Sequence, residues 1–242
     1  NVAAGWKQAT PFKRQDRELI LLAGGPSMAT EVDRIRLLRE SGCGIVTVNG
    51  SYHWALEKEL QVGCQIVLDA REFNARFTHP PTNYTKYLIA SQCHPSVLDG
   101  LPYDNTFLWH ACIDDENAEF IRQKYEFFFP VPGGSTVVLR AIPLLRMLGY
   151  YKLHVFGFDS CVMVDGAHHA YEQRENDGEL IVPLTCGGRT FSCAPWMVSQ
   201  AAEFQDVVRF LGDEVELAVY GDGLIRHMIQ TGANLSHTDK EI

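Results

Sequence analysis

Two glycine turns, two aspartates and a pair of adjacent histidines are the residues of this sequence most able to do chemistry. Gly24, Gly25, Pro26 and Ser27 follow an apolar run, Leu19 to Ala23, and a helix-patterned segment begins at once behind them. At such a junction side-chain-free backbone can approach a ligand closely, and the first N–H groups of the helix make an anion site that suits a phosphate. Gly133, Gly134, Ser135 and Thr136 repeat the arrangement before a second helical segment and add two hydroxyls. Two such turns on one rim would hold a nucleotide's phosphates from both sides. The first turn is not a Walker A loop, since the lysine and the four-residue gap are missing, nor is it a full G-x-G-x-x-G fingerprint.

Asp69 and Asp159 both stand at the ends of apolar runs, where a bare carboxylate is costly unless it is paired or faces a solvated cleft. Capping or an ion pair is one reading. The other is a magnesium or ribose ligand, because Mg²⁺ takes only one or two protein carboxylates beside phosphate oxygens and water. Asn49 and Gly50 end another β-branched run in the same way. His168, His169 and Tyr171 follow Asp159 in a polar loop that also holds Asp165 and Gly166. Adjacent histidines on a surface loop are commonly only solvated. Carried over the rim of a site, one of them could serve as a general base or bind a phosphate. Trp54, Trp109 and Trp196 read as core or rim packing.

These residues need a scaffold that brings them together, and the patterning supplies one. Apolar runs at 19–23, 44–48 and 65–68 alternate with helical segments at 29–40 and 52–60, which implies right-handed βαβ units and a mainly parallel sheet. Short strands are expected at 86–90 and 106–109, a helix at 117–124, and an aromatic run at 127–129. A helix holding Val138, Ala141, Ile142, Leu145 and Leu148, with a kink at Pro143, precedes a strand at 153–156. A hairpin across Gly187 and Gly188, a long helix from Pro195 to Leu211, a strand at 214–219 and a helix at 224–231 complete the chain. The fold class is therefore α/β, a Rossmann-like three-layer sandwich with a mainly parallel sheet. Residues 1–17 form an N-terminal arm, 18–235 one domain, and 236–242 a frayed tail. Ligands of open parallel sheets sit beyond the carboxyl ends of the strands, which puts Gly24 to Ser27, Asn49 and Asp69 on one rim.

Composition narrows the partners. With 46% apolar and 21% charged residues the chain is of ordinary globular type. The net charge of -9, with no long basic run, argues against nucleic acid or an anionic membrane surface as partner. No run approaches the length of a spanning helix. The seven cysteines include no C-x-x-C pair, which reads as reduced thiols and a cytoplasmic location.

AGGPSM at Ala23 to Met28, VNG at Val48 to Gly50, the strand ended by Asp69, GGSTV at Gly133 to Val137, GFD at Gly157 to Asp159 and GAHHAY at Gly166 to Tyr171 together resemble the MptE-like family. These Rossmann-like proteins are named for an archaeal 6-hydroxymethylpterin diphosphokinase, and APWMVSQAAEF, Ala194 to Phe204, looks like their closing helix. The likeness spans residues 18 to 211. The family is distantly similar to bacterial sialyltransferases that use CMP-activated sugars. That similarity implies nucleotide-holding roles for Gly25, Pro26 and Ser27, for Asn49, and for Gly134 and Ser135, with catalysis at His168 or His169. The turn here is A-G-G-P-S rather than G-N-G-P-S, so one side-chain donor is absent.

Three functions stay open. One is diphosphoryl transfer from ATP to a small hydroxylated acceptor, with Mg²⁺ on Asp69 and Asp159. The second is metal-independent glycosyl transfer from a nucleotide-activated sugar, with His168 or His169 as base and Tyr171 or Arg174 steadying the leaving phosphate. The third is nucleotide binding or partner interaction without catalysis.

Overall fold

The computed structural model describes residues 5–112, 114–125, 129–163, 166–173 and 178–235. In chain order the elements are β1 (Lys7–Gln8), β2 (Leu19–Leu22), α1 (Val32–Glu40), β3 (Gly44–Val48), α2 (Ser51–Glu57), β4 (Cys64–Val67), β5 (Lys86–Ala90) and β6 (Thr106–Ala111). They continue with α3 (Asp115–Arg122), β7 (Pro130–Val131), α4 (Val137–Met147), β8 (Lys152–Phe156), β9 (Val182–Cys186), β10 (Arg189–Cys193), α5 (Pro195–Leu211), β11 (Glu216–Val219) and α6 (Leu224–Thr231).

Nine strands form one sheet in the order β1-β6-β5-β4-β3-β2-β8-β11, with β7 pairing to β6, and every pairing is parallel. All residues of β2 and β3 are buried, as expected for parallel strands covered on both faces. The chain steps outward from β2 to β6 and then returns to place β8 on the other side of β2. Strand order therefore reverses between β2 and β8, and a crevice opens at such a switch point. The short arm strand β1 extends the sheet at its far edge, with Lys7 opposite Phe107.

Buried polar side chains lace the carboxyl ends of the central strands. Ser51 Oγ donates to Leu22 O at 2.7 Å and accepts from Val48 N. Thr47 donates to Gln65 Oε1, and Gln65 Nε2 donates to Asn49 O and Phe77 O. These bonds set the heights of the loops after β2, β3 and β4 relative to one another.

Two details of the scaffold depart from expectation. The helix after the first glycine turn starts at Val32 rather than Ala29, because Pro26–Thr30 form a tight 3-10 turn that buries Ser27 and Met28. The hairpin, expected from Glu179 to Leu184 against Thr190 to Cys193, is displaced on its first side, which runs Val182–Cys186 against Arg189–Cys193. Phe127, Phe128, Asp165, Arg174 and the tail 236–242 lie outside the described residues. No disulfide joins any of the seven cysteines. Among the described residues no helix is long and apolar enough to cross a membrane.

Candidate functional site

Beyond the carboxyl ends of β2, β3, β4 and β8 lies a cleft of about 490 Å³, within the range of small-molecule sites. Gly25, Pro26, Asn49, Asp69, Ser135, Thr136, Asp159, His168, His169 and Tyr171 all line it. The topology thus brings to one cleft residues spread from position 25 to position 171. Gly24, Ser27, Gly50, Gly133 and Gly134 are not in its wall.

The first glycine turn is stitched into the sheet rather than open. Gly25 N donates to Gly157 O at 2.7 Å and Met28 N to Gly25 O at 3.1 Å, while Ser27 N donates to Asp159 Oδ2 at 2.9 Å. The helix-start donors that the sequence offers to a phosphate are therefore largely spent on the protein. Glycine is required at position 25 by backbone proximity: a Cβ there would fall 2.5 Å from both Gly157 O and Asp159 Oδ2. Gly221 and Gly223 close the other side, where a Cβ would collide with Ser27 and with Asp159 respectively.

Asp159 is consequently only 2% exposed, and its Oδ1 has no hydrogen-bond partner. Burial pushes its carboxyl above the ordinary range, Ser27 pulls it partly back, and the charge of Asp222 raises it further. Asp69 is the opposite case. Burial alone would raise it, but Arg71 donates Nε to both carboxylate oxygens and its backbone N to Oδ1 at 2.9 Å, so the carboxyl is held below its ordinary range.

Shared magnesium ligation by these two aspartates does not fit. They end β4 and β8, which are separated by β3 and β2. Three strand spacings amount to about 14 Å, whereas two oxygens on one Mg²⁺ lie within about 4 Å of each other. One partner is moreover locked to an arginine and the other is sealed behind glycine backbone. No reaction step is assigned to that ion here.

The second glycine turn is also filled. Ser135 donates both its N–H, at 2.9 Å, and its hydroxyl, at 2.8 Å, to Glu203 Oε2 on α5. One turn earlier on α5, the buried Gln200 donates to Thr136 Oγ1 at 2.8 Å and accepts from Ser160 Oγ at 2.7 Å. Gln200 thereby joins the start of α4 to the end of β8. A carboxylate occupies the anion seat expected for phosphate.

The histidine loop crosses the cleft. Ala170 N donates to Gly24 O at 3.0 Å, and the Tyr171 ring rests on both early glycine turns: a Cβ on Gly24 or Gly50 would lie 2.6 Å from its ring or hydroxyl. Burial pushes the Tyr171 phenol above its ordinary range. His169 packs its ring 5.4 Å from that of Tyr171. His168 turns elsewhere: its Nδ1 lies 3.8 Å from Glu179 Oε2, and that oxygen accepts Trp196 Nε1–H at 2.8 Å. Nδ1 of His168 has no hydrogen-bond partner in this arrangement. A carboxylate fixed by a tryptophan thus stands near one imidazole nitrogen of His168.

Asn49 holds a left-handed backbone, φ 46°, lines the cleft, and keeps its side-chain Oδ1 buried without a hydrogen-bond partner. Sequence reasoning missed Arg71, Glu179, Gln200 and Glu203. Arg71 had a signal, two residues after the strand-end Asp69. Glu179 lies in the segment leading into the hairpin and Gln200 and Glu203 on α5, whose docking no local pattern reports, and Trp196 read only as packing.

No curated protein matches the chain in sequence. Among solved structures, the Maf glycosyltransferase from Magnetospirillum magneticum AMB-1 superposes with a TM-score of 0.62 at 15% identity over 89% of this chain. This chain spans only 36% of that protein's length. A mammalian sialyltransferase gives a TM-score of 0.46 at 9% identity, covering 85% of this chain and 69% of that one. The first of these likenesses concerns the fold alone. The sequence profile described as "6-hydroxymethylpterin diphosphokinase MptE-like" matches residues 2–165, and with this Rossmann-like sheet the chain belongs to the MptE-like family.

Proposed function

We propose that this chain is a transferase domain that binds a nucleotide-activated donor in the switch-point cleft and passes the activated group to an acceptor hydroxyl. Glycosyl transfer without a shared metal is the form that the geometry supports best. The observation that carries it is His168, set beside Glu179 over the cleft. The acceptor O–H gives its proton to Nε2 of His168 as the oxygen attacks the donor carbon, and the nucleotide leaves with its phosphate. The imidazolium formed is stabilised by Glu179, whose 3.8 Å approach tightens as Nδ1–H becomes a charged donor. Arg71, held by Asp69, lines the cleft and is the charge that a leaving phosphate would meet there, with Asn49 in the same wall. Hydrolysis of CMP- and UDP-sugars in EDTA, followed with His168→Ala and His169→Ala, tests the reading. Loss of about 10²- to 10⁴-fold in His168→Ala alone is expected for a general base. Equal rates in His168→Ala and wild type would overturn it.

Diphosphoryl transfer from ATP is the second reading, favoured by the family's namesake activity. In that reaction the acceptor oxygen attacks the β-phosphorus and AMP departs. AMP release dependent on acceptor and Mg²⁺, with no sugar-nucleotide turnover, would select it.

A further inference from the structure

A second concavity, of about 570 Å³, opens at the amino ends of β2 to β6, at the end of the sheet opposite the cleft. Its walls are apolar: Leu19, Val46, Leu88 and Phe107 from the sheet, and Leu145 and Leu148 from the end of α4. Phe12 and Tyr84, 60% and 52% exposed, stand at its mouth.

Its charge is out of keeping with the rest of the chain. In a protein of net charge -9, the charged residues lining this groove are Arg17, Arg39 and Lys86, and no carboxylate lines it. All three cations bond to neutral acceptors: Arg17 to Gly42 O, Arg39 to Gln61 Oε1 and Lys86 to Asn105 Oδ1. Asp104, the acid whose carboxyl feels Lys86, is paired to Lys7 at 2.7 Å. An apolar lining with exposed Phe12 and Tyr84 at the mouth favours a hydrocarbon, with burial worth about 25 cal/mol per Å², and cations bonded to neutral acceptors favour an anionic head. The strongly negative net charge opposes docking on an anionic bilayer, and a concavity admits one chain rather than a membrane surface.

We propose that this groove binds one free long-chain fatty carboxylate, its chain along Val46, Leu88, Phe107 and Leu148 and its head at Arg17 and Arg39. The site is separate from the cleft and does not depend on the reaction assigned there.

Calorimetric titration with palmitate below its micelle concentration is the test, with octanoate and cetyltrimethylammonium as probes of tail length and head charge. Palmitate binds one per chain. Octanoate binds at least about tenfold more weakly for want of methylenes, and the cationic amphiphile produces no saturable heat. The Arg17→Ser/Arg39→Ser double variant and Leu148→Trp, each with an unchanged thermal midpoint, weaken palmitate at least about tenfold. Because Arg17 is exposed and Arg39 half-buried, each hydrogen-bonded to a neutral acceptor, the double variant tests the site without removing core packing. No palmitate binding, binding that survives both variants, or equal binding of the cationic amphiphile would overturn the proposal. So would light scattering that shows a wild-type dimer abolished by Leu148→Trp, which would give the groove to a second copy of the chain.

Discussion

The two glycine turns that look alike in the sequence have opposite fates in the structure. Each points a serine N–H at what would be a phosphate, and each has that N–H taken by a carboxylate. In the first, Asp159 comes from the next strand of the sheet, is 2% exposed, and is packed among Gly25, Gly157, Gly221 and Gly223. In the second, Glu203 arrives from α5 at an exposed Ser135. The first bond is part of the core, since breaking it strands a buried donor. The second can be exchanged with water or with a ligand anion at little cost. The same local chemistry is thus structural at one site and displaceable at the other, and burial is what separates them.

Matched substitutions break the comparison most sharply at the glycines. Gly25→Ala drives a Cβ to 2.5 Å from the Gly157 carbonyl oxygen, a backbone atom that cannot move aside, and costs about 3 kcal/mol or more. Gly134→Ala meets side-chain atoms of Leu139 and Glu203 rather than backbone, and although Leu139 is buried these can shift more readily than a carbonyl, at about 1–2 kcal/mol. Urea midpoints of the two variants measure the difference. Equal losses would mean that the second turn is as rigid as the first.

A smaller effect follows from the carboxylates themselves. Asp159→Ala leaves the Ser27 N–H buried and unpaired, and is expected to lower stability by about 2–3 kcal/mol. Glu203→Ala is expected to cost under about 1 kcal/mol while freeing an anion seat at the start of α4. Titration with inorganic phosphate should therefore show tighter binding in Glu203→Ala than in wild type, with no gain in Asp159→Ala. Phosphate affinity unchanged by Glu203→Ala would remove the exchangeable-seat reading.

The smallest effect is a pH dependence. Burial raises the carboxyl of Asp159 above its unfolded value, so the unfolded chain loses this proton first as pH rises. Stability contributed by the protonated group is full below the ordinary carboxylate range and is lost as pH climbs from there through the raised folded value. Asp159→Asn keeps an acceptor for Ser27 without an ionisation. Its stability relative to wild type should grow with pH over that window in melts taken from pH 3 upward, and a constant difference would count against a raised Asp159.

The strands show how legible the fold was. The runs 44–48 and 86–90 and the helices 195–211 and 224–231 have the boundaries read from periodicity and from Gly and Pro stops, because buried parallel strands and amphipathic helices write their surroundings into local hydrophobic pattern. The site was legible only as a set of positions. That Gly25, Asn49 and Asp69 would share one rim followed from strand-end placement, whereas the arrival of Ser135 and His168 and the partners of all five did not. Arg71 locking Asp69, Glu203 filling the second turn and Glu179 facing His168 are contacts made after helix and hairpin docking.

By itself, then, the sequence determined the alternation of strand and helix, the glycine positions where backbone passes close to backbone, and the end of the sheet at which polar residues collect. These follow from short-range sterics and from the need to bury apolar faces. Tertiary structure alone decided which donors remain free, that Asp69 and Asp159 stand about three strand spacings apart (~14 Å), and that three cations face an apolar groove at the far end. Distances and burial arise from how the layers pack, and a carboxylate's chemistry depends on both.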